Sequence, residues 1–138
     1  MVEMEARKVC LDTTFLIDYL RGLPDAVQKA DELKEAACGL CTTSINAFEL
    51  YIGAARSQRP RGLAALEGLL ADIRILSLGK GEAQESASIM ADLIKEGRMI
   101  EMRDALIAGC MLRNGCTSIV TRNTADFSRI ARLEVLEY

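Results

Sequence analysis

The chain has 138 residues, half of them apolar and 27% charged, with no histidine, no tryptophan and a net charge of −3. That length and composition predict one domain over 1–138 with a core of its own and leave little room for disorder. The missing histidine excludes Ser-His-Asp and Cys-His catalysis, so any enzyme chemistry must rest on carboxylates or metal ions.

MVEMEARKV mixes both charge signs without an apolar run, so no secretory leader is expected. No stretch has the length of a membrane span, and the expected compartment is the cytoplasm. KVCL then reads as a short strand, and TTFLIDYLRG as a short helix ended by Gly22, with Pro24 just beyond. Asp25 is expected to cap a helix reading DAVQKADELKEAA that closes near Gly39. CGLCTT is a second apolar strand. Its Cys38-x-x-Cys41 spacing lacks the second pair or the histidines that zinc needs, and it sits in a strand rather than at a helix start. The cysteines are therefore read as structural.

SINAFELYIGAAR, with Ser44 near its cap, is a helix, and the basic loop SQRPRG follows it. LAALEGLLADI is another helix and RILSL a third strand. GEAQESASIMADLIKEG is a long amphipathic helix closed by Gly97, RMIEM a connector, and RDALIAGCMLRNG an apolar helix ended by Gly115. TSIVTR is a fourth strand, TADFSRI a turn or short helix, and LEVLE a fifth strand. Short apolar strands alternating with helices predict an α/β domain with a mainly parallel five-stranded sheet flanked by helices.

Several acids lie off the polar faces of these elements. Asp12 follows the first strand directly, where it would serve as a helix cap or as a carboxylate at a strand tip. Ile45, Phe48, Ile52 and Ala55 predict the buried stripe of the third helix, and Glu49 lies on or beside that stripe. Asp104 precedes Ile107 by three residues, on the apolar side of a first helical turn, where an N-terminal acid is also an ordinary finding. Topology distinguishes these readings. In an open parallel sheet, residues just past the strand C-termini gather in one crevice where ligands bind. Asp12, Glu49, Asn123 and Asp126 all follow strands, and Asp104 starts the helix that leads to the fourth. Converging carboxylates without His or Cys predict a site for a hard cation, Mg²⁺ or Mn²⁺. Without a metal they repel, which predicts that neutralising Asp12 stabilises the metal-free chain.

LDTTFLIDYLRG, TTSINAFELYIGA, RDALIAGCMLRNG and IVTRNTADFSRI, in this order, resemble the PIN-domain family, and more narrowly the VapC ribonuclease toxins of prokaryotic toxin–antitoxin pairs. The resemblance covers about Val9 to Tyr138 and implies a three-layer PIN-like fold. It implies that Asp12, Glu49 and Asp104 are metal-binding acids, with Thr14 and Thr121 as supporting residues near the metal. The fourth position departs from the commoner pattern. Asn123 stands where many members have an aspartate, and Asp126 follows three residues later. Asp126 would restore the charge or cap its own turn; both readings stay open.

The resemblance implies a Mg²⁺-dependent endoribonuclease that hydrolyses RNA phosphodiesters with a metal-activated water, leaving a 5′-phosphate and a 3′-hydroxyl. It also implies a cognate VapB-like antitoxin bound between helices, and a homodimer. The two short helices DAVQKADELKEAA and LAALEGLLADI are expected to leave apolar surface for such partners. The net charge opposes nucleic-acid binding. Arg56, Arg59, Arg61, Arg98, Arg103, Arg122, Arg129 and Arg132 are the residues from which a phosphate-tracking rim would be built. The alternatives are a PIN nuclease for RNA processing outside a toxin pair, or a catalytically idle PIN-like binding or dimerisation module. A haloacid-dehalogenase-type phosphotransferase would need an acid where Thr14 stands.

Overall fold

Five short strands build the centre of the molecule: β1 (Lys8–Leu11), β2 (Gly39–Thr43), β3 (Arg74–Leu76), β4 (Ser118–Val120) and β5 (Glu134–Leu136). They form one sheet in the order β3-β2-β1-β4-β5, and every pairing is parallel. The structure, a computed structural model, describes residues 6–138. The first five residues, on which part of the expected leaderless start rests, lie outside the described residues. Among the described residues, no helix is long and apolar enough to cross a membrane.

Parallel strands need crossovers, and helices supply them. Between β1 and β2 run α1 (Thr13–Leu20) and α2 (Pro24–Glu35), and between β2 and β3 run α3 (Ser44–Ser57) and α4 (Pro60–Ala71). Next come α5 (Lys80–Lys95) and α6 (Met102–Arg113) before β4, and α7 (Thr124–Phe127) before β5. Alternation along β1 sends Val9 and Leu11 into a core with Phe15, Leu16, Ala30, Leu50 and Leu66. Cys10 points the other way, to Ile107, Met111, Ile119 and Phe127. Helices thus cover both sheet faces, giving the expected three layers.

Gly109 sets the spacing of the outer pair, α5 and α6. A Cβ there would lie 1.8 Å from Ser86 Oγ and 2.7 Å from the Ser86 backbone nitrogen. Ser86 Oγ itself donates to the carbonyl of Glu82 at 2.8 Å. Only glycine lets the two helices approach this closely.

Several local expectations are corrected. Leu23, not Asp25, is the N-cap residue of α2, because Pro24 opens the helix at its first position, where a missing N–H costs nothing. The left-handed turn after α2 falls on Ala37 (φ 54°) rather than at Gly39, which is already paired with Lys8 in the sheet. The basic loop is largely helical: Arg56 belongs to α3 and Arg61 to α4, which Pro60 starts. The stripe on α3 is rotated from its expected phase. Asn46, Ala47 and Leu50 are buried, whereas Phe48 is 65% and Ile52 43% exposed. Asn46 turns inward to bond the site described below.

The cysteines are free, with Cys10, Cys41, Cys110 and Cys116 buried and Cys38 half-buried. Cys38 packs against one core cluster and Cys41 lies in the other, so the C-x-x-C spacing builds no site. At the far edge, Tyr138 Oη donates to Asp18 Oδ2 at 2.6 Å, and Arg122 pairs with the same carboxylate.

Candidate active site

The strand order reverses direction between β1 and β4, the point where an open parallel sheet leaves a crevice at its C-terminal edge. Asp12 stands there, fully buried. Its backbone N–H donates to Val120 O at 3.0 Å, continuing the β1–β4 ladder by one residue. It is the N-cap residue of α1, yet its side chain makes no capping bond. The carboxylate turns into the crevice instead. Thr121 Oγ1 donates to Oδ2 at 2.6 Å, and Asn46 Nδ2 donates to Oδ1 at 2.8 Å. Thr121 also accepts from the Asn123 backbone N–H at 3.0 Å and lies 3.4 Å from Thr14 Oγ1. Thr14 in turn accepts from the Arg122 backbone N–H. Thr14 and Thr121 therefore orient Asp12 and the loop after β4.

Asn46 is held from behind. Thr43 Oγ1 donates to Asn46 Oδ1 at 2.7 Å while accepting from the Asn46 backbone N–H at 3.2 Å, a reciprocal cap of α3. With its oxygen engaged, the amide nitrogen must face Asp12 and Thr13. One turn on, Glu49 accepts from Thr13 Oγ1 at 2.7 Å.

Arg103 joins the acids. Its Nε donates to Glu49 Oε2 at 2.7 Å, one terminal nitrogen donates to Asp12 Oδ1 at 3.0 Å, and the other pairs with Asp104 Oδ1. Burial alone would lower the arginine pKa, but Glu49 and Asp12 reverse this and raise it above its ordinary value. The guanidinium is a fixed positive charge bonded to three carboxylates.

Asp104, in the first turn of α6, is fully buried, and its Oδ2 has no hydrogen-bond donor. Burial and the adjacent Asp126 carboxyl push its pKa up to about 7, against the opposing pull of Arg103. Asp126 moves the other way, lowered by Asp104 and by the Glu101 backbone N–H, which donates to Asp126 Oδ2 at 3.1 Å. The protonated form is thus favoured at Asp104 and not at Asp126. Asp126 makes no cap of its own turn; it serves the N-terminus of α6. Asn123 is exposed, and only its backbone contacts the site.

The sequence-predicted acids Asp12, Glu49, Asp104 and Asp126 are thus brought together, with Thr14 and Thr121 behind Asp12. Asn123 stands at the edge. Arg103 offsets part of the expected repulsion between bare carboxylates, while Asp126 still raises the Asp104 pKa. Among the described residues, no three Asp, Glu, Cys or His side chains stand close enough to hold a metal ion as placed. The donor set nevertheless suits a hard cation. It is all oxygen, it already gathers around a positive charge, and it includes an unsatisfied buried carboxylate oxygen.

The PIN domain family matches residues 9–133 of the sequence. The chain belongs to the PIN-domain family. Its relatives include the tRNA(fMet)-specific endonuclease VapC of Shigella flexneri, 33% identical over 95% of this chain and 98% of that protein. Ribonuclease VapC2 of Haemophilus influenzae is 31% identical over 91% of this chain and 94% of its own. Among solved structures, the DNA-bound VapBC of Salmonella typhimurium superposes with a TM-score of 0.81 at 29% identity, covering 95% of this chain and 98% of that one. VapBC2 of Rickettsia felis, bound to a promoter DNA fragment, gives 0.82 at 22% identity over the same shares.

Two features of this PIN domain escaped sequence reasoning. Asn46 lies three residues before Glu49, on the same face of α3, and the shared face was the available signal. Arg103 was grouped with surface arginines. That expected rim is also corrected: Arg103 is in the site, Arg122 is tied to Asp18, Arg132 to Glu85, and Arg129 to the Met99 carbonyl. Arg56, Arg59, Arg61 and Arg98 are exposed. An open groove of about 410 Å³ between α1, α3 and α4, lined by Ile17, Leu20, Leu50 and Leu66, runs up to Glu49.

Proposed function

We propose that this PIN domain is a Mg²⁺- or Mn²⁺-dependent endoribonuclease, the toxin of a VapBC-type pair acting in the cytoplasm. The observation that carries this reading is the convergence of Asp12, Glu49 and Asp104 on one cationic centre at the sheet's switch point, with Asp126 beside Asp104. The named activities of its relatives support it, and its free cysteines suit a reducing compartment.

A divalent cation bound by Asp12, Asp104 and Asp126, with Glu49 beside them, would supply Lewis-acid polarisation of a phosphate oxygen and a water acidified for attack. The chain's own residues do the rest. Thr121 and Asn46 hold Asp12 in a single orientation, so its oxygens need no rearrangement during the reaction. Asp104 brings a fully buried carboxylate with one oxygen free of donors, a ready ligand for such a cation. The exposed Arg56, Arg59, Arg61 and Arg98 meet RNA phosphates despite the overall acidity.

The relatives named for tRNA(fMet) make initiator tRNA the first substrate to test. Parent protein should cleave it only with Mg²⁺ or Mn²⁺, leaving 5′-phosphate ends, and Asp12→Asn should abolish cleavage while keeping the far-ultraviolet spectrum. Full activity in chelator or in Asp12→Asn would sink the reading.

The groove between α1, α3 and α4 is where an antitoxin segment would lie, since an apolar strand of peptide there ends beside Glu49. The exposed Phe48 and Ile52 on α3 suit a second copy of the chain. Light scattering should report a homodimer, and a monomer at high micromolar concentration would remove that part of the proposal.

A further inference from the structure

We infer that Arg103 is a built-in counter-ion that occupies the cation seat of this site and must be displaced when a divalent ion binds. The inference rests on the metal-dependent reading above and goes beyond it by naming what competes with the metal.

The geometry is specific. One guanidinium engages Glu49, Asp12 and Asp104 at once through its three nitrogens. Both Asp12 oxygens already accept: Oδ1 takes Asn46 and Arg103, and Oδ2 takes Thr121. Thr121 and Asn46 are fixed by the β4 end and by the cap of α3, whereas Arg103 hangs on a flexible stem and is 25% exposed. Of the donors on Asp12, only Arg103 can leave without unfolding an element. With Arg103 in place, no three acids among the described residues are set to hold an ion. A dication and a guanidinium also repel each other at contact distance, so the two cannot share the Asp12 and Asp104 oxygens. The neighbouring Asp104 Oδ2, buried without a donor, is an acceptor that the guanidinium does not satisfy. Once displaced, Arg103 remains at the mouth of the site, tethered one residue from Asp104.

Two measurements test this. Mn²⁺ binding is followed by the loss of the free-ion paramagnetic signal in parent, Arg103→Met and the double variant Arg103→Met/Asp12→Asn. Removing a charge-assisted competitor should tighten Mn²⁺ binding by about ten- to a hundredfold in Arg103→Met. The metal-free melting temperature of that variant should fall, and Mn²⁺ should raise it more than it raises the parent's. The double variant should lose binding. Equal or weaker binding in Arg103→Met, with loss in the double variant, overturns the role of Arg103 and leaves the metal reading standing. No binding in parent or in Arg103→Met removes both. The second measurement needs no variant. The Arg103 Nε–Hε resonance, protected by its bond to Glu49, should shift and exchange faster as Mg²⁺ is added. A resonance that stays in place while Mg²⁺ saturates the site overturns the displacement.

Discussion

Asp104 and Asp126 share one environment but differ in burial, and this splits their behaviour. Asp104 is sealed and Asp126 is reached by the Glu101 N–H, so the proton is held on the Asp104 side. A carboxyl whose pKa is raised by folding binds its proton more tightly in the native state. Its stabilising contribution is complete below the ordinary carboxylate value and lost as pH rises through the folded value. Metal-free protein should therefore lose stability between about pH 4 and 7, from the ordinary carboxylate range to the value at Asp104. Asp104→Asn should flatten that slope in urea titrations at several pH values; an unchanged slope would move the effect elsewhere. At saturating Mg²⁺, Asp126→Ala should lower cleavage by about 10- to 100-fold, whereas Asn123→Ala should stay within a few-fold. Equal activity for Asp126→Ala and parent would return Asp126 to a purely structural role at α6. The acids were legible because each broke the polarity pattern of its element. Arg103 and Asn46 were not. An arginine beside an acid looks like any solvated pair, and Asn46 shares a helix face with Glu49 but shows its partner only once Asp12 arrives from β1.

At the scale of elements, the strands, their parallel pairing and most helix ends were readable from apolar runs and from Gly22, Gly97 and Gly115, each with positive φ. The phase of α3 was not, because periodicity counts only apolar residues. The bond from Asn46 to Asp12 turned the helix so that Phe48 and Ile52 face outward. Tertiary hydrogen bonding overrode the hydrophobic pattern, as it can where a buried polar group must be satisfied. The α5–α6 pair shows the reverse case, packing decided by one residue. Gly109→Ala should destabilise by about 1–3 kcal/mol through overpacking against Ser86. Because Asp104 and Arg103 ride on α6, the same substitution should also weaken Mn²⁺ binding. Urea denaturation checks the first effect and ion titration the second.

Over the whole molecule, the thiols divide by depth. The neighbouring Cys10 thiol and burial push Cys41 to about 12, and burial raises Cys110 to about 11; Cys10 and Cys116 are raised as well. A raised pKa in a closed core leaves almost no thiolate to react. In native protein at pH 8, iodoacetamide should label Cys38 alone, read by intact mass, with the other four reacting only after denaturation. Fast labelling of Cys41 or Cys116 would mean that the sheet opens on the experimental timescale. Cys38 also bears on the dimer test, since an accessible thiol can cross-link two copies in oxidising buffer, so scattering belongs in reductant.

Because β1 lies between β2 and β4, the centre of the sheet is closed only when β4 arrives, and the Asp12 donor just past it, Thr121, lies 109 residues after Asp12. Until then Asp12 lacks its Thr121 donor and its ladder partner Val120, and Asp126 has not been synthesised. Asp12 and Glu49 can meet through Asn46 and Thr13 once α3 has formed, but the site stays incomplete while the chain grows. Long-range parallel pairing is slow to nucleate, which lengthens the interval. The expected consequence is that a ribosome making this protein meets no complete site until β4 has docked. The nascent chain carries every residue of α1 to α6 yet an incomplete site, and nuclease activity should begin only after β4 has emerged and docked. Ribosome-arrested chains ending before residue 118 should leave RNA intact under conditions where released full-length protein cuts it.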